Sequence, residues 1–276
     1  MSIPSSGSES NPPHEEAGSS GNGTHADCEN FRQFFEGWLG EQDGHLQELL
    51  AVSRDASVGD QKEQEDRLRP IVDRILRHYE QYYLVKSASA KQDVLLMFSP
   101  TWTSSLEDAL LWIGGWRPTM AFHLLYSKSG LQLEARLPDI LRGLRSGDLG
   151  DLSPAQIARA DEQQRQTIRK EMEISEKMAK LQESGADPTM VALSQATTGT
   201  ALSEGEEESV DAALRGKKER LEAILEMADD LRMRTLRGVI QILRPLQTVH
   251  FLIAAAELHL RLREWGKIRD EMRTGQ

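Results

Sequence analysis

The sequence predicts an all-α protein: a single helical bundle domain of about eight helices, two or three of them long, behind a disordered N-terminal tail. Three observations carry that reading. From Phe31 onward, large apolar residues recur at intervals of three and four, the spacing of one face of a helix. Apolar–polar alternation with the period of a strand never persists beyond a few residues. Pro, Gly and capping residues punctuate the periodic runs where helices should start and stop.

Residues 1–28 are dominated by Ser, Gly, Pro, Asn and Glu and contain no Phe, Trp or Tyr. Such a segment cannot bury enough apolar surface to offset the entropy of ordering it, so it reads as a disordered tail. The folded domain reads as residues 29–270. A first helix carries Phe31, Phe34, Phe35, Trp38, Leu39, Leu46, Leu49 and Leu50. Gly37, Gly40 and Gly44 lower its intrinsic propensity, so packing must hold it. A second helix follows Pro70 with Ile71, Val72, Ile75, Leu76, Tyr79, Tyr82 and Tyr83 on one face, and a short third holds Val94 to Met97. Ser99 to Thr103 form a turn. Ser104 and Glu107 make a capping box for a helix running through Ile113. Gly114-Gly115 stops that helix, and Pro118 opens the next, which ends near Gly130. Ser153-Pro154 starts a long helix to Ser184 with a narrow apolar seam. The small, polar and acidic residues 185–207 read as a mobile loop. Another long helix spans about Val210 to Leu243; Pro245 breaks it, and a last helix reaches Trp265-Gly266.

Composition narrows the function. A net charge of −11 opposes non-specific binding to nucleic acid or an anionic membrane surface. The longest apolar run, Val249 to Leu258, is interrupted by His250 and Glu257 and falls short of the ~20 residues that span a bilayer. The N-terminus does not have the pattern of a secretory signal. A lone Cys28 excludes an internal disulfide or a zinc cluster and fits a reducing compartment. No Gly-rich phosphate loop, Gly-x-Ser-x-Gly or His-Glu-x-x-His is present. The chain therefore reads as a non-enzyme, with no catalytic residue and no metal ligand assigned. A basic-zipper reading helix needs an Asn with an Arg eight residues later. The residues eight beyond Asn11, Asn22 and Asn30 are Ser19, Asn30 and Trp38, so direct DNA reading by that device is excluded. The basic clusters at Arg215 to Lys218 and Arg261 to Arg269 have acidic neighbours and read as solvated helix faces.

Trp102, Trp112 and Trp116 read as core. Trp38, beside Phe34 and Phe35 on a glycine-thinned helix, has two open readings: a partly exposed partner-binding edge, or a ring docked onto the bundle.

The run Pro100 to Thr119, PTWTSSLEDALLWIGGWRPT, resembles the most distinctive stretch of the plant DELAY OF GERMINATION family. Its Trp102, Trp112, Gly114, Gly115, Trp116 and Pro118 are the structural motif. The same domain follows the basic zipper in TGA-type transcription factors. Phe35-Glu36-Gly37-Trp38, Ala228-Asp229-Asp230-Leu231-Arg232 with Thr235-Leu236, and Leu258-His259-Leu260 running into Glu264-Trp265-Gly266 agree with it, over about residues 29–270. The resemblance implies a helical, nuclear or cytosolic regulator of seed dormancy and germination. Family members contact signalling proteins, notably type 2C protein phosphatases of the abscisic acid pathway, through an N-terminal segment containing a Trp. Trp38 with Glu36 occupies the matching place here, and Phe34 and Phe35 join them as candidate partner-binding residues, although Phe34, Phe35 and Gly37 depart from the family's wording. A second reading is a transcriptional cofactor that reaches DNA only through TGA-type bZIP partners; a homo-oligomer is compatible with either. A third is a haem-binding sensor. The family includes a haem binder with two histidines four residues apart on the last helix; His259 matches the first, and Arg263 stands at the second. Arginine offers no neutral nitrogen ligand, and His250 lies on the opposite helical face, so His259 also reads as a packed or capping histidine.

Overall fold

The computed structural model describes residues 21–55, 61–141, 147–196 and 204–275. Among them are nine α-helices and no strand: α1 (Gly21–Asp55), α2 (Gln61–Gln92), α3 (Leu95–Phe98), α4 (Ser105–Leu110), α5 (Met120–Leu141), α6 (Pro154–Glu183), α7 (Pro188–Ala196), α8 (Glu204–Ile242) and α9 (Pro245–Thr274). The all-α expectation holds, and the expected Ser104–Glu107 capping box and Ser153-Pro154 helix start sit where local sequence puts them. The Ser104 side chain accepts from the Glu107 N–H at the start of α4, and Ser153 accepts from Gln156 at the start of α6.

Several boundaries differ from the sequence expectation. Helix α1 is drawn from Gly21, ahead of the expected start at residue 29, and residues 1–20 lie outside the described residues. Pro70 is inside α2 and does not open it, because the good helix formers ahead of it carry Leu68, which is fully buried. Helix α5 runs past Gly130 to Leu141; one interior glycine costs about 1 kcal/mol, too little to end a packed helix. The expected loop at 185–207 contains a 3-10 turn at Ser184–Ala186, all of α7 and the start of α8, while residues 197–203 lie outside the described residues. Lys217, from a basic cluster read as solvated, explains this order. Its Nζ donates to the Ser184 carbonyl at 2.5 Å and lies 3.1 Å from Asp187, whose Oδ1 accepts from the Met190 N–H at 2.9 Å and caps α7. Helix α9 continues beyond Gly266 to Thr274.

Helix α6 packs along α8, while α1 packs along both α9 and α2; α2 and α5 also touch α8 and α9. The apolar interior has three clusters. The largest joins α1, α2, α5, α8 and α9 through buried residues such as Leu49, Leu68, Phe122, Leu125, Val239 and Phe251. A second, aromatic cluster holds Phe31, Phe35, Trp38, Met97, Trp102 and Leu225. The third is the α6–α8 seam of Ile174, Leu181, Ile224, Ala228 and Leu231. Helix α4 lies against α9 where Gly266 leaves room for the Ser104 side chain, a space that any Cβ would fill.

Candidate functional site

The stretch from Leu111 to Thr119 is the knot of the bundle. The helix expected to reach Ile113 stops at Leu110, and a tight turn follows, closed by the Trp112 N–H donating to the Gly115 carbonyl at 2.7 Å. Ile113 (φ 46°) and Gly114 (φ 66°) are both left-handed, a costly conformation for a β-branched residue that the surroundings must enforce. Arg232, 0% exposed, enforces it. Its Nε donates to the Trp116 carbonyl at 2.7 Å and one terminal nitrogen to the Ile113 carbonyl at 2.9 Å; the Trp112 carbonyl and Asp229 also accept from it. The guanidinium lies over the Trp112 ring at 5.4 Å. Gly115 is required here, since a Cβ would stand 2.9 Å from the guanidinium carbon. Lys86, also buried, donates to the Gly114 carbonyl at 2.7 Å and to Asp229 at 2.9 Å. Two buried cations thus share one carboxylate, and four inward carbonyls supply the remaining negative potential. Burial pushes the Lys86 ammonium down to about 8, with Asp229 opposing the shift.

Other contacts fasten the same stretch to α2 and α6. The Trp112 indole donates to Ser175 Oγ at 3.0 Å, and the Trp116 indole donates to the Tyr83 hydroxyl at 2.9 Å. Glu171, 0% exposed, accepts from Arg117 Nε at 2.7 Å and from the Thr119 N–H at 2.6 Å. Pro118 is buried, as is Trp102, whose carbonyl accepts from Arg263 at 2.9 Å. Trp112 and Trp116 are half-buried. Sequence reading assigned no role to Lys86, Glu171 or Arg263. A lysine three and four residues after Tyr83 and Tyr82, on their face, was the one local signal for Lys86.

The tryptophan of the first helix is not on the surface. Trp38 is 6% exposed, and Phe35 is buried beside it. The Trp38 indole donates to the His78 carbonyl at 3.1 Å and its ring lies flat on the His78 imidazole at 4.6 Å, with Tyr82 at 4.9 Å. Of the two readings of Trp38, the ring docked onto the bundle is the one observed, and the partly exposed Phe34–Phe35–Trp38 edge is corrected. The aromatic face of α1 turns toward α2 and α9, and Gly37, Gly40 and Gly44 thin the open outer face instead. Phe34 is half-buried and Glu36 exposed.

His78 is held neutral. Burial chiefly, then the neighbouring His45, lowers its pKa to about 4 against the pull of Glu41, 3.3 Å away. The folded state therefore binds a proton less readily than the unfolded chain, whose histidine titrates near 6.5. The His78 contribution to stability is complete above pH 6.5 and declines as the pH falls toward 4. Denaturant unfolding at a series of pH values should show this decline, and His78→Asn should flatten it. Equal pH slopes for the two proteins would place the acid sensitivity elsewhere.

Between the first and second clusters lies a cavity of about 230 Å³, walled by Phe35, Trp38, Tyr82, Trp102, Trp116 and Phe251, with His259 at its edge. Burial, more than the opposing Glu107, lowers the His259 pKa, and its imidazole is neutral. Arg263, four residues on, is engaged with the Trp102 carbonyl, lies 3.4 Å from Glu107 and sits 5.1 Å from the Phe35 ring centre. These residues do not fit a haem held by two histidines: the second position carries a committed arginine, and the cavity is below the ~300–1,000 Å³ usual for cofactor sites. Among the described residues, no group of three His, Cys, Asp or Glu side chains could hold a metal ion.

Residues 45–127 match the family model described as "DOG1: Seed dormancy control". The chain is 31% identical to Protein DOG1-like 3 of Arabidopsis thaliana over 245 residues, covering 86% of this chain and 84% of that protein. This chain belongs to the DOG1 family. The DOG1 match takes in the Trp102–Pro118 stretch and Lys86, and the longer alignments carry the likeness beyond it toward α8 and α9. Protein RESPONSE TO ABA AND SALT 1 of the same plant is 29% identical, covering 86% of this chain and 94% of that protein. Transcription factor TGA2 of Arabidopsis thaliana is 31% identical over 82% of this chain but only 60% of its own length.

Proposed function

We propose that this DOG1-family chain is a non-enzymatic regulatory domain that acts in seed dormancy and abscisic acid response by binding signalling proteins, type 2C protein phosphatases among them. Its family and its similarity to RESPONSE TO ABA AND SALT 1 support the setting. One structural observation supports binding as the mode of action. The buried polar side chains are committed to the fold, whereas the end of α9 presents an apolar stripe to solvent: Trp265 (56% exposed), Ile268 and Met272 (67%) at helical spacing. On α1, Glu36 and the open part of Phe34 extend the available surface, with Trp38 positioning them from below. The chain should retain a type 2C phosphatase in a pull-down with purified components. Trp265→Ala should weaken that capture about tenfold or more while leaving the melting temperature unchanged. Capture unaffected by the substitution would remove the α9 stripe from the interface, and no capture would remove the phosphatase.

The similarity to TGA2 supports a second reading, a nuclear transcriptional cofactor that pairs with TGA-type bZIP factors. The net charge of −11 makes such DNA association indirect. Retention of a TGA-type factor instead of the phosphatase would decide for it.

A further inference from the structure

The cavity between the two core clusters has no part in surface binding, yet its walls are organised. We infer that it binds a compact, uncharged, two-ring apolar molecule carrying one hydrogen-bonding group. Flat aromatic walls, chiefly Trp38, Tyr82, Trp102 and Trp116, offer ring faces and edges on which another ring stacks. An apolar cavity of ~150 Å³ takes up one benzene ring. This one, at about 230 Å³, has room for a second fused ring.

The polar groups on the wall set the chemistry of the ligand. The Tyr79 hydroxyl accepts from Gln42 and the Tyr83 hydroxyl from Trp116. The side chains of Tyr82 and His259 also line the cavity, and among the described residues neither makes a hydrogen bond. Both are half-buried, so each stays open to a hydrogen bond from a molecule in the cavity. Both charged groups on the wall are already matched: Lys86 by Asp229 and the Gly114 carbonyl, Glu107 by Ser104 and Arg263. A ligand carboxylate or ammonium would find no counter-charge there, whereas a neutral hydroxyl could pair with Tyr82 or His259.

The full chain should be titrated with 1-naphthol, naphthalene and 1-naphthoate, following tryptophan fluorescence and heat. Saturable binding of one 1-naphthol per chain is expected, about tenfold tighter than naphthalene, the difference of one buried hydrogen bond. 1-Naphthoate should bind more weakly than 1-naphthol. Ala255→Leu, which fills the cavity from α9, should abolish binding. If that variant does not fold, the Tyr82→Phe/His259→Leu double variant serves: it should still bind both ring compounds but lose the preference for 1-naphthol. No saturable binding, undiminished binding to a folded Ala255→Leu protein, a preference that survives the double substitution, or 1-naphthoate binding as tightly as 1-naphthol would each overturn the assignment.

Discussion

Arg232→Met should destabilise the domain by about 3–5 kcal/mol, a large share of the ~5–15 kcal/mol available to a folded domain. Methionine fills much of the same volume, so packing is largely kept and the loss is electrostatic. The substitution strands the Trp112, Ile113 and Trp116 carbonyls in a buried site and leaves Asp229 facing Lys86 alone. It also releases the clamp on the left-handed Ile113-Gly114 pair. Arg232→Lys should recover little, because one ammonium cannot reproduce the planar fork that meets three carbonyls and a carboxylate together. Urea unfolding of the three proteins measures this, and a lysine variant as stable as the parent would show that charge alone suffices.

Trp38→Ala should cost about 3–5 kcal/mol through loss of a buried ring and the space left behind. The ring touches His78, Tyr79, Tyr82 and Phe35, so the second cluster loses its centre and α1 one of its holds on α2. An exposed binding-edge tryptophan would behave in the opposite way, with partner capture lost and stability kept. The two quantities should be measured on one preparation, scoring capture per folded molecule. An unchanged melting temperature would contradict the burial of this ring.

The parts of the fold legible in the sequence are those decided within a few residues. Helical periodicity, the Ser104 capping box, the Ser153-Pro154 helix start and the Pro245 helix start all rest on neighbours along one turn. What was not legible depends on partners far along the chain. The end of α4 at Leu110 cannot be read from a sequence in which Ile113 continues the apolar spacing; it follows from Arg232, 119 residues further on, taking the Ile113 carbonyl. Periodicity marked Phe35 and Trp38 as one face of α1 but could not say whether that face was covered. The order in α7 depends on Lys217 reaching back to Ser184 and Asp187. At the cavity, sequence singled out His259 and noted Arg263, yet only the fold shows that arginine committed to Trp102.

The Arg232 clamp has a consequence for synthesis. Its partners Trp112, Ile113 and Trp116 precede it by 116 to 120 residues, and Ser105 meets Asp270 across 165. At ~5–20 residues per second, a nascent chain waits about 6–24 s between making the turn and making the side chain that closes it. Throughout that interval the N-terminal half holds inward-facing carbonyls and the Lys86 ammonium without their counterparts, next to aromatic surface still uncovered by α9. A polypeptide that stops short of Arg232 has no side chain to close this turn, so its inward-facing carbonyls stay unpaired.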